Sequence, residues 1–263
     1  MIELINFSKS YSHKMEPAVN DVSFLAKDGE VTGLLGVNGS GKSTIIKAVT
    51  GQHFPTYGNI IISGKNGEQI DVEKNPESAK LCTGYVPEIT ALPPDMTVEK
   101  FLCYVGMLYG FEKKTSDEKK SLEKAVSDVV KKCSLEEVLS KKIKTLSKGF
   151  KQRVSFAQSL IHNPSVLILD EPITGLDPAQ IIQMRNLIKE EAKTKTVLMS
   201  THILQEVHSL CDKIIIIDKG RLIAEGTEDE ICRLAGSRDF ESAFLKLVDG
   251  SSCGDSSFVG EHK

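Results

Sequence analysis

The sequence predicts an α/β fold in which a largely parallel sheet is covered by helices on both faces. Three apolar runs, at residues 166–169, 196–200 and 214–217, have the length and composition of buried strands. A helical pattern that begins at Pro178, a residue type tolerated in the first turn of a helix, separates the first two runs. Buried strands that alternate with amphipathic helices are typical of a parallel sheet packed on both sides.

Strands are predicted in the N-terminal part of the chain as well. Residues 2–7 and 19–25 alternate apolar and polar side chains, and Asp28 and Gly29 form a turn signal before a short apolar strand at 31–35. Further strands are predicted at 58–62 and 83–88. Residues 89–164 instead predict a helical insertion between the strand-rich segments.

The insertion contains two recognisable helix patterns. Thr97 is a good N-cap for a helix that runs to Tyr109, and apolar residues from Leu122 onward repeat at helical spacing. Between them, residues 113–120 predict a charged surface loop. At the other end of the chain, residues 251–263 are rich in serine and glycine and predict a flexible tail.

Composition narrows the possible functions. The 263 residues carry a net charge of −3, which argues against nucleic acid as the main partner. No run of eighteen apolar residues and no signal-peptide pattern occurs, so we expect no membrane span. The six cysteines include no C-x-x-C pair, which argues against a cysteine metal site and favours a reducing cytoplasm.

Residues 36–44 match the phosphate-binding pattern G-x-x-x-x-G-K-[ST] and lie between a predicted strand and a predicted helix. Glycines allow backbone N–H groups to turn toward an anion, the lysine adds a positive charge, and the following serine can ligate Mg²⁺. A glycine-rich turn that binds nothing is the alternative. The candidate nucleotide-binding residues here are Gly36, Val37, Asn38, Gly39, Ser40, Gly41, Lys42, Ser43 and Thr44.

Acidic side chains follow the strand predicted at 166–169. Asp170 and Glu171 would lie at the carboxyl edge of the sheet, where ligands bind in open α/β folds. Asp170 can reach Mg²⁺, and Glu171 can polarise an attacking water. A strand that simply leaves the core into solvent is the alternative. His202 follows another strand end and could contact a phosphate, although a lone histidine there is more often a surface residue.

Two further positions are suggested by local patterns alone. Ser147 is a possible N-cap, and Gly149 leaves the start of the same helix open to an anion. Tyr11 lies in a polar loop before the phosphate-binding loop and could stack on a nucleotide base. A rim tyrosine packed on the surface explains its pattern equally well.

The order of these motifs resembles that of ATP-binding cassette ATPases, the nucleotide-binding subunits of ABC transporters. The resemblance covers residues 1 to about 235. In order, the matches are Walker A at 36–44, the Q-loop at 85–88, the signature motif at 146–153, Walker B at 166–171, the D-loop at 174–177 and the switch histidine at 200–202.

The resemblance implies a P-loop NTPase fold with a RecA-like core, an antiparallel β subdomain and an inserted α-helical subdomain. The nucleotide-binding domain would span residues 1–235, with the catalytic core at 1–88 and 165–235 and the helical subdomain at 89–164. A C-terminal helix at 236–250 and the flexible tail at 251–263 would follow.

The resemblance also implies an ATPase that uses ATP and Mg²⁺. Glu171 would be the catalytic base and His202 the switch residue, Tyr11 would stack on the base, and Asp177 would belong to the nucleotide site. Ser43 and Asp170 would hold the metal. Ser147 and Gly149 would contact the γ-phosphate of ATP held by a second nucleotide-binding domain, in a homodimer or a heterodimer.

Partners and location follow from the same resemblance. The helical insertion and the segment after Glu88 would receive a separate transmembrane permease, which would place the chain on the cytoplasmic face of the cell membrane. Glu88 stands where the family has glutamine, so it could either contact Mg²⁺ or serve as a solvated hinge residue. Lys148, Phe150 and Val37 are other departures, and the pattern is similar to that of ABC-2 type exporters.

Two other classes of protein are weaker alternatives. A soluble ABC ATPase of DNA repair or translation would carry a long coiled coil or a second cassette, and neither pattern is present. A kinase or GTPase with a phosphate-binding loop would lack the signature and D-loop motifs. The resemblance implies that the permease, and not this chain, selects the transported substrate.

Overall fold

A computed structural model of the chain describes residues 1–12, 16–111 and 116–252. The strands are β1 (Ile2–Lys9), β2 (Val19–Ala26), β3 (Val31–Leu35), β4 (Tyr57–Ser63), β5 (Gln69–Asp71), β6 (Thr83–Val86), β7 (Val166–Asp170), β8 (Thr196–Thr201), β9 (Lys213–Asp218) and β10 (Arg221–Gly226). The helices are α1 (Lys42–Val49), α2 (Pro76–Cys82), α3 (Val98–Leu108), α4 (Ser116–Lys132), α5 (Lys148–Leu160), α6 (Pro178–Ala192), α7 (Leu204–Leu210), α8 (Glu228–Leu234) and α9 (Phe240–Ser252).

Six strands form the larger sheet, in the order β10-β9-β3-β8-β7-β6. The five strands from β9 to β6 run parallel, and β10 is antiparallel at the edge. Along β7, Ile168 packs into the core on one side of the sheet and Leu169 into the core on the other. A sheet covered on both faces explains the continuous apolar runs, and the prediction of a largely parallel sheet is confirmed.

The smaller sheet is antiparallel and has the order β2-β1-β4-β5. Helix α1 lies between the two sheets, because its buried Ile45 and Ile46 belong to the same apolar cluster as Leu4 and Phe7 of β1 and Ile168 of β7. The second sheet therefore packs against the helix that follows the phosphate-binding loop. The expected antiparallel subdomain beside a P-loop core is confirmed.

Helices α3, α4 and α5 form the insertion and share one apolar core with the far face of the large sheet. Thr97 caps α3 as predicted, since its side chain accepts a hydrogen bond from the Lys100 N–H. Residues 89–97 are not helical. The predicted charged loop at 113–120 is wrong from Ser116 onward, where α4 begins; residues 112–115 lie outside the described residues. Charged runs occur in surface loops and on helices alike, so the sequence pattern did not reveal the start of this helix.

The C-terminal segment packs α8 and α9 against β9 and β10 through a third apolar cluster. Helix α9 begins at Phe240 rather than at 236 and continues to Ser252, two residues into the predicted tail. The remainder of that predicted tail, residues 253–263, lies outside the described residues. None of the described helices has the length and apolar character that a bilayer crossing needs.

Candidate functional site

The phosphate-binding loop connects the end of β3 to the start of α1. Gly39 and Gly41 have φ angles of +83° and +113°, a region that side chains rarely adopt. A Cβ atom on Gly36 would lie 2.3 Å from the carbonyl oxygen of Ile217 on β9. Backbone conformation therefore requires two of these glycines and close packing requires the third, so the loop holds the shape expected of a phosphate cradle.

Lys42, the first residue of α1, points back into this loop. Its ammonium group donates to the carbonyl oxygens of Gly36 at 2.6 Å and Val37 at 3.2 Å. Burial lowers the pKa of Lys42, while nearby carboxylates oppose that change. A buried cation held by carbonyl oxygens can move onto a phosphate without first being stripped of water.

Asp170 ends β7 at the carboxyl edge of the sheet. Parallel pairing places it opposite Ser200 of β8, whose hydroxyl donates to the aspartate Oδ1 at 2.5 Å. The carboxylate is almost completely buried, and burial raises its pKa. The serine bond fixes the orientation of the aspartate toward the space in front of the phosphate-binding loop.

Glu171 leaves the strand in a left-handed backbone conformation, with φ at +50°. Its N–H donates to the Ser200 carbonyl oxygen at 3.2 Å. Its Oε1 lies 2.8 Å from the Nδ1 of His202, and its Oε2 accepts a hydrogen bond from the Thr174 hydroxyl at 3.1 Å. Both carboxylate oxygens are therefore held, and the group has a fixed direction.

These residues line one cavity of about 290 Å³. The lining residues are Ala18, Asn38, Gly39, Gly41, Lys42, Ser43, Thr44, Glu88, Asp170, Glu171 and His202. Loop glycines and a lysine suit the phosphates of a nucleotide. The Ser43 hydroxyl and the carboxylates of Asp170 and Glu88 are hard oxygen donors of the kind that Mg²⁺ prefers, so the residues fit this cofactor.

Four other predicted site residues are not part of the cavity lining. Within the phosphate-binding loop, Gly36 and Ser40 are buried and Val37 is exposed. Tyr11 is 64% exposed, and its hydroxyl lies 3.5 Å from that of Thr44 in α1. Tyr11 is thus near the phosphate site and largely exposed.

The signature and D-loop residues lie outside this cavity. Its described lining does not include Ser147, Gly149 or Asp177. Ser147 caps α5 as predicted, accepting a hydrogen bond from the Phe150 N–H at 3.4 Å. Asp177 caps α6. A Cβ atom on Gly149 would lie 2.3 Å from the side chain of Gln180, so the starts of α5 and α6 are packed together.

Glu206 was not predicted, although it lies one helical turn after His202. It is 4% exposed and accepts a hydrogen bond from the Thr201 hydroxyl at 2.6 Å. The same Thr201 oxygen accepts the Ile203 N–H, so the turn that carries His202 is held from behind. Burial raises the pKa of Glu206 to about 7. An acidic residue on a short amphipathic helix gives no sequence signal of burial.

Similarity to known proteins agrees with this geometry. The ABC transporter family matches residues 19–174. The ABC transporter ATP-binding protein NatA of Bacillus subtilis is 33% identical over 96% of this chain and all of its own length. A Nod factor export ATP-binding protein I of Bradyrhizobium diazoefficiens is 35% identical over 88% of this chain and 71% of its own length.

Solved structures give the same result. A structure described as the ATP-binding subunit of an ABC transporter superposes with a TM-score of 0.81 at 32% identity, covering 94% of this chain and 99% of its own. The dimeric bacterial ABC transporter cassette MJ0796 has a TM-score of 0.72 at 26% identity, covering 86% and 98%. The chain therefore belongs to the ABC transporter family as an ATP-binding subunit, an ATPase that powers transport.

Proposed function

We propose that this chain drives export through a separate membrane permease by closing, as a dimer, over two molecules of ATP. In the folded chain, the candidate residues of the nucleotide site lie in two separate places. Lys42, Asp170, Glu171 and His202 converge on one cavity, whereas Ser147 is exposed away from it. A second chain is needed to bring a signature residue to the phosphates.

Within the cavity, each side chain has a chemical task. Lys42 moves from its carbonyl partners to the terminal phosphates, and the loop N–H groups bind the others. Glu171 accepts the proton of the attacking water, because its carboxylate is already fixed by Thr174 and His202. Mg²⁺, held by Ser43, Asp170 and Glu88, would neutralise phosphate charge.

The second half of the site would come from the partner chain. Ser147 is exposed, and no acidic residue lies in the first turn of α5. Such a helix start attracts an anion. The related MJ0796 cassette is dimeric, which supports a dimer here. We infer that Ser147 and Gly149 contact the γ-phosphate of the partner's ATP.

The helical insertion offers a surface for the permease. Ile89, immediately after the cavity residue Glu88, is 80% exposed, and Tyr104, Met107 and Leu108 of α3 are also exposed. Met107 and Leu108 follow Tyr104 by three and four residues and so share one face of α3 with it, and exposed apolar groups on one face mark interaction sites. A relative named for Nod factor export supports an export role, which would place this chain on the cytoplasmic face of the cell membrane.

Ser147→Arg tests the shared site, in a Glu171→Gln background in which we expect ATP to bind and to be hydrolysed slowly. We expect Mg²⁺ and ATP to convert Glu171→Gln from monomer to dimer in light scattering. Adding Ser147→Arg should abolish the dimer and leave ATP binding to the monomer intact, because the phosphate-binding loop is unchanged. Ser147→Ala is the matched control for loss of the hydroxyl alone. Normal dimerisation of the arginine variant would rule out a site completed by the partner.

A further inference from the structure

His53 lies in the loop between α1 and β4 and reaches across to Tyr11. Its Nε2 is 3.0 Å from the tyrosine hydroxyl. The two rings are perpendicular, at 88°, with centroids 5.7 Å apart, an edge-to-face geometry that aromatic rings favour. The loop that carries Tyr11 is therefore joined to the far end of the helix that begins at Lys42.

The contacts hold Tyr11 although most of the residue is exposed. The hydroxyl is fixed by His53 and lies 3.5 Å from the hydroxyl of Thr44, and the Lys9 ammonium lies 5.6 Å from the ring centroid. The side chain is nevertheless 64% exposed. An exposed aromatic side chain normally loses rotamer freedom when a ligand orders it, and a side chain that is already held avoids that loss.

Burial and neighbouring positive charges favour the neutral form of His53. Burial lowers the pKa of His53, and the positive charges of Lys9 and Lys47 lower it further. A neutral imidazole keeps one nitrogen as an acceptor, so it can accept a hydrogen bond from the Tyr11 hydroxyl.

We propose that His53 is a positioning residue for the nucleotide, which holds the Tyr11 ring where the base of a bound nucleoside triphosphate stacks on it. The inference rests on the proposed function, in which Tyr11 contacts the base and residues 36–44 bind the phosphates. Stacking reads the face of a base and not its edge, so the gain in affinity is the same in kind for ATP and GTP. A structural staple between two loops is the competing explanation.

Two ligands separate these explanations: ATP, which has a base, and inorganic tripolyphosphate, which has none. Calorimetric titrations with Mg²⁺ would compare wild type, His53→Ala, Tyr11→Phe and the double variant. We expect each single change to weaken ATP binding about 2- to 10-fold, through loss of the same prearranged ring. The double variant should bind ATP as tightly as the single variant that shows the larger loss. The affinity for tripolyphosphate should not change in any of the variants.

His53→Gln is the conservative variant and carries the test if His53→Ala fails to fold. Its amide can still bond the tyrosine hydroxyl, so ATP affinity should return toward the wild-type value. Unchanged ATP affinity in His53→Ala would overturn the inference, and equal losses for both ligands would favour the structural staple. Tyr11→Ala with undiminished ATP binding would remove the base contact itself, whereas Lys42→Ala tests the phosphate-binding loop separately through both ligands.

Discussion

The nucleotide cavity and the start of α5 differ in how far this chain completes them. In the cavity, Glu171 has partners for both carboxylate oxygens, and Asp170 is oriented by Ser200. At the start of α5, Ser147 bonds only within its own helix turn among the described contacts and is exposed. The cavity is a preorganised site, whereas among the described residues Ser147 has no partner outside its own helix turn.

This difference indicates which step, the chemistry or the assembly of the dimer, each region controls. Asp170 and Glu171 are already held in place by neighbouring side chains, so these two carboxylates need no rearrangement when a nucleotide binds. If catalysis also needs Ser147, then only an assembled dimer is active, and assembly controls turnover. Changes in the cavity should therefore alter chemistry, and changes at the start of α5 should alter assembly.

The largest expected effect is in the cavity. Glu171→Gln keeps the shape of the side chain but replaces the charged base by a neutral amide, which has one acceptor oxygen instead of two. We expect turnover to fall about 10²- to 10⁴-fold while ATP still binds. Steady-state phosphate release together with an ATP titration measures both quantities. Hydrolysis at the native rate would mean that another group accepts the proton.

The pH dependence of stability reports on Glu206, which holds the turn that carries His202. The pKa of buried Glu206 is about 7, against an ordinary value of 4.5; burial is the main cause, the Glu171 charge adds to it, and Thr201, His202 and Arg185 oppose it. The folded protein thus holds a proton that the unfolded chain loses between these values. This contribution to stability is present below pH 4.5 and is lost as pH rises to about 7.

Glu206→Gln removes this titration and can keep the bond from Thr201. Relative to wild type, we expect the variant to gain stability as pH rises from 4.5 to about 7, by at most about 3 kcal/mol. Thermal melts of both proteins across this range measure the difference. Parallel curves would show that Glu206 does not titrate there.

The smallest expected effect concerns Glu88, which lines the cavity from an exposed position after β6. If its carboxylate contacts the metal, Glu88→Ala should raise the Mg²⁺ concentration for half-maximal ATPase activity about 3- to 10-fold. Glu88→Gln is the matched control and should largely preserve activity, because its amide oxygen has the same reach. An unchanged Mg²⁺ requirement in the alanine variant would leave Glu88 as a hinge residue.

The sequence predicted the parts of the site that are local in the chain. The phosphate-binding loop has a fixed spacing, and Asp170 ends an apolar run, so both could be placed on the sheet edge without a structure. Contacts between strands could not be predicted. Ser200 meets Asp170 only because β7 and β8 pair in one register, thirty residues apart.

Weak or mixed patterns account for the elements that were missed. Strand β5 has three residues and α2 has seven, too few for a clear period. The first turn of α4 was predicted as loop because its charges resemble a solvated segment. His53 and Glu206 carry no motif, and only folding shows that one touches Tyr11 and the other is buried.

Cross-linking tests the central claim, that each ATP lies between the loop of one chain and Ser147 of the other. A chain with Asn38→Cys, in the loop, would be mixed with a differently tagged chain carrying Ser147→Cys, both in the Glu171→Gln background, and treated with a short bifunctional thiol reagent. Each variant alone controls for the native cysteines. We predict a product that contains both tags and forms only with Mg²⁺ and ATP. A third chain that carries both substitutions serves as the comparison. If the mixed chains gave no such product while this third chain cross-linked within itself, the two motifs would lie at one site in a single chain and the shared site would be ruled out.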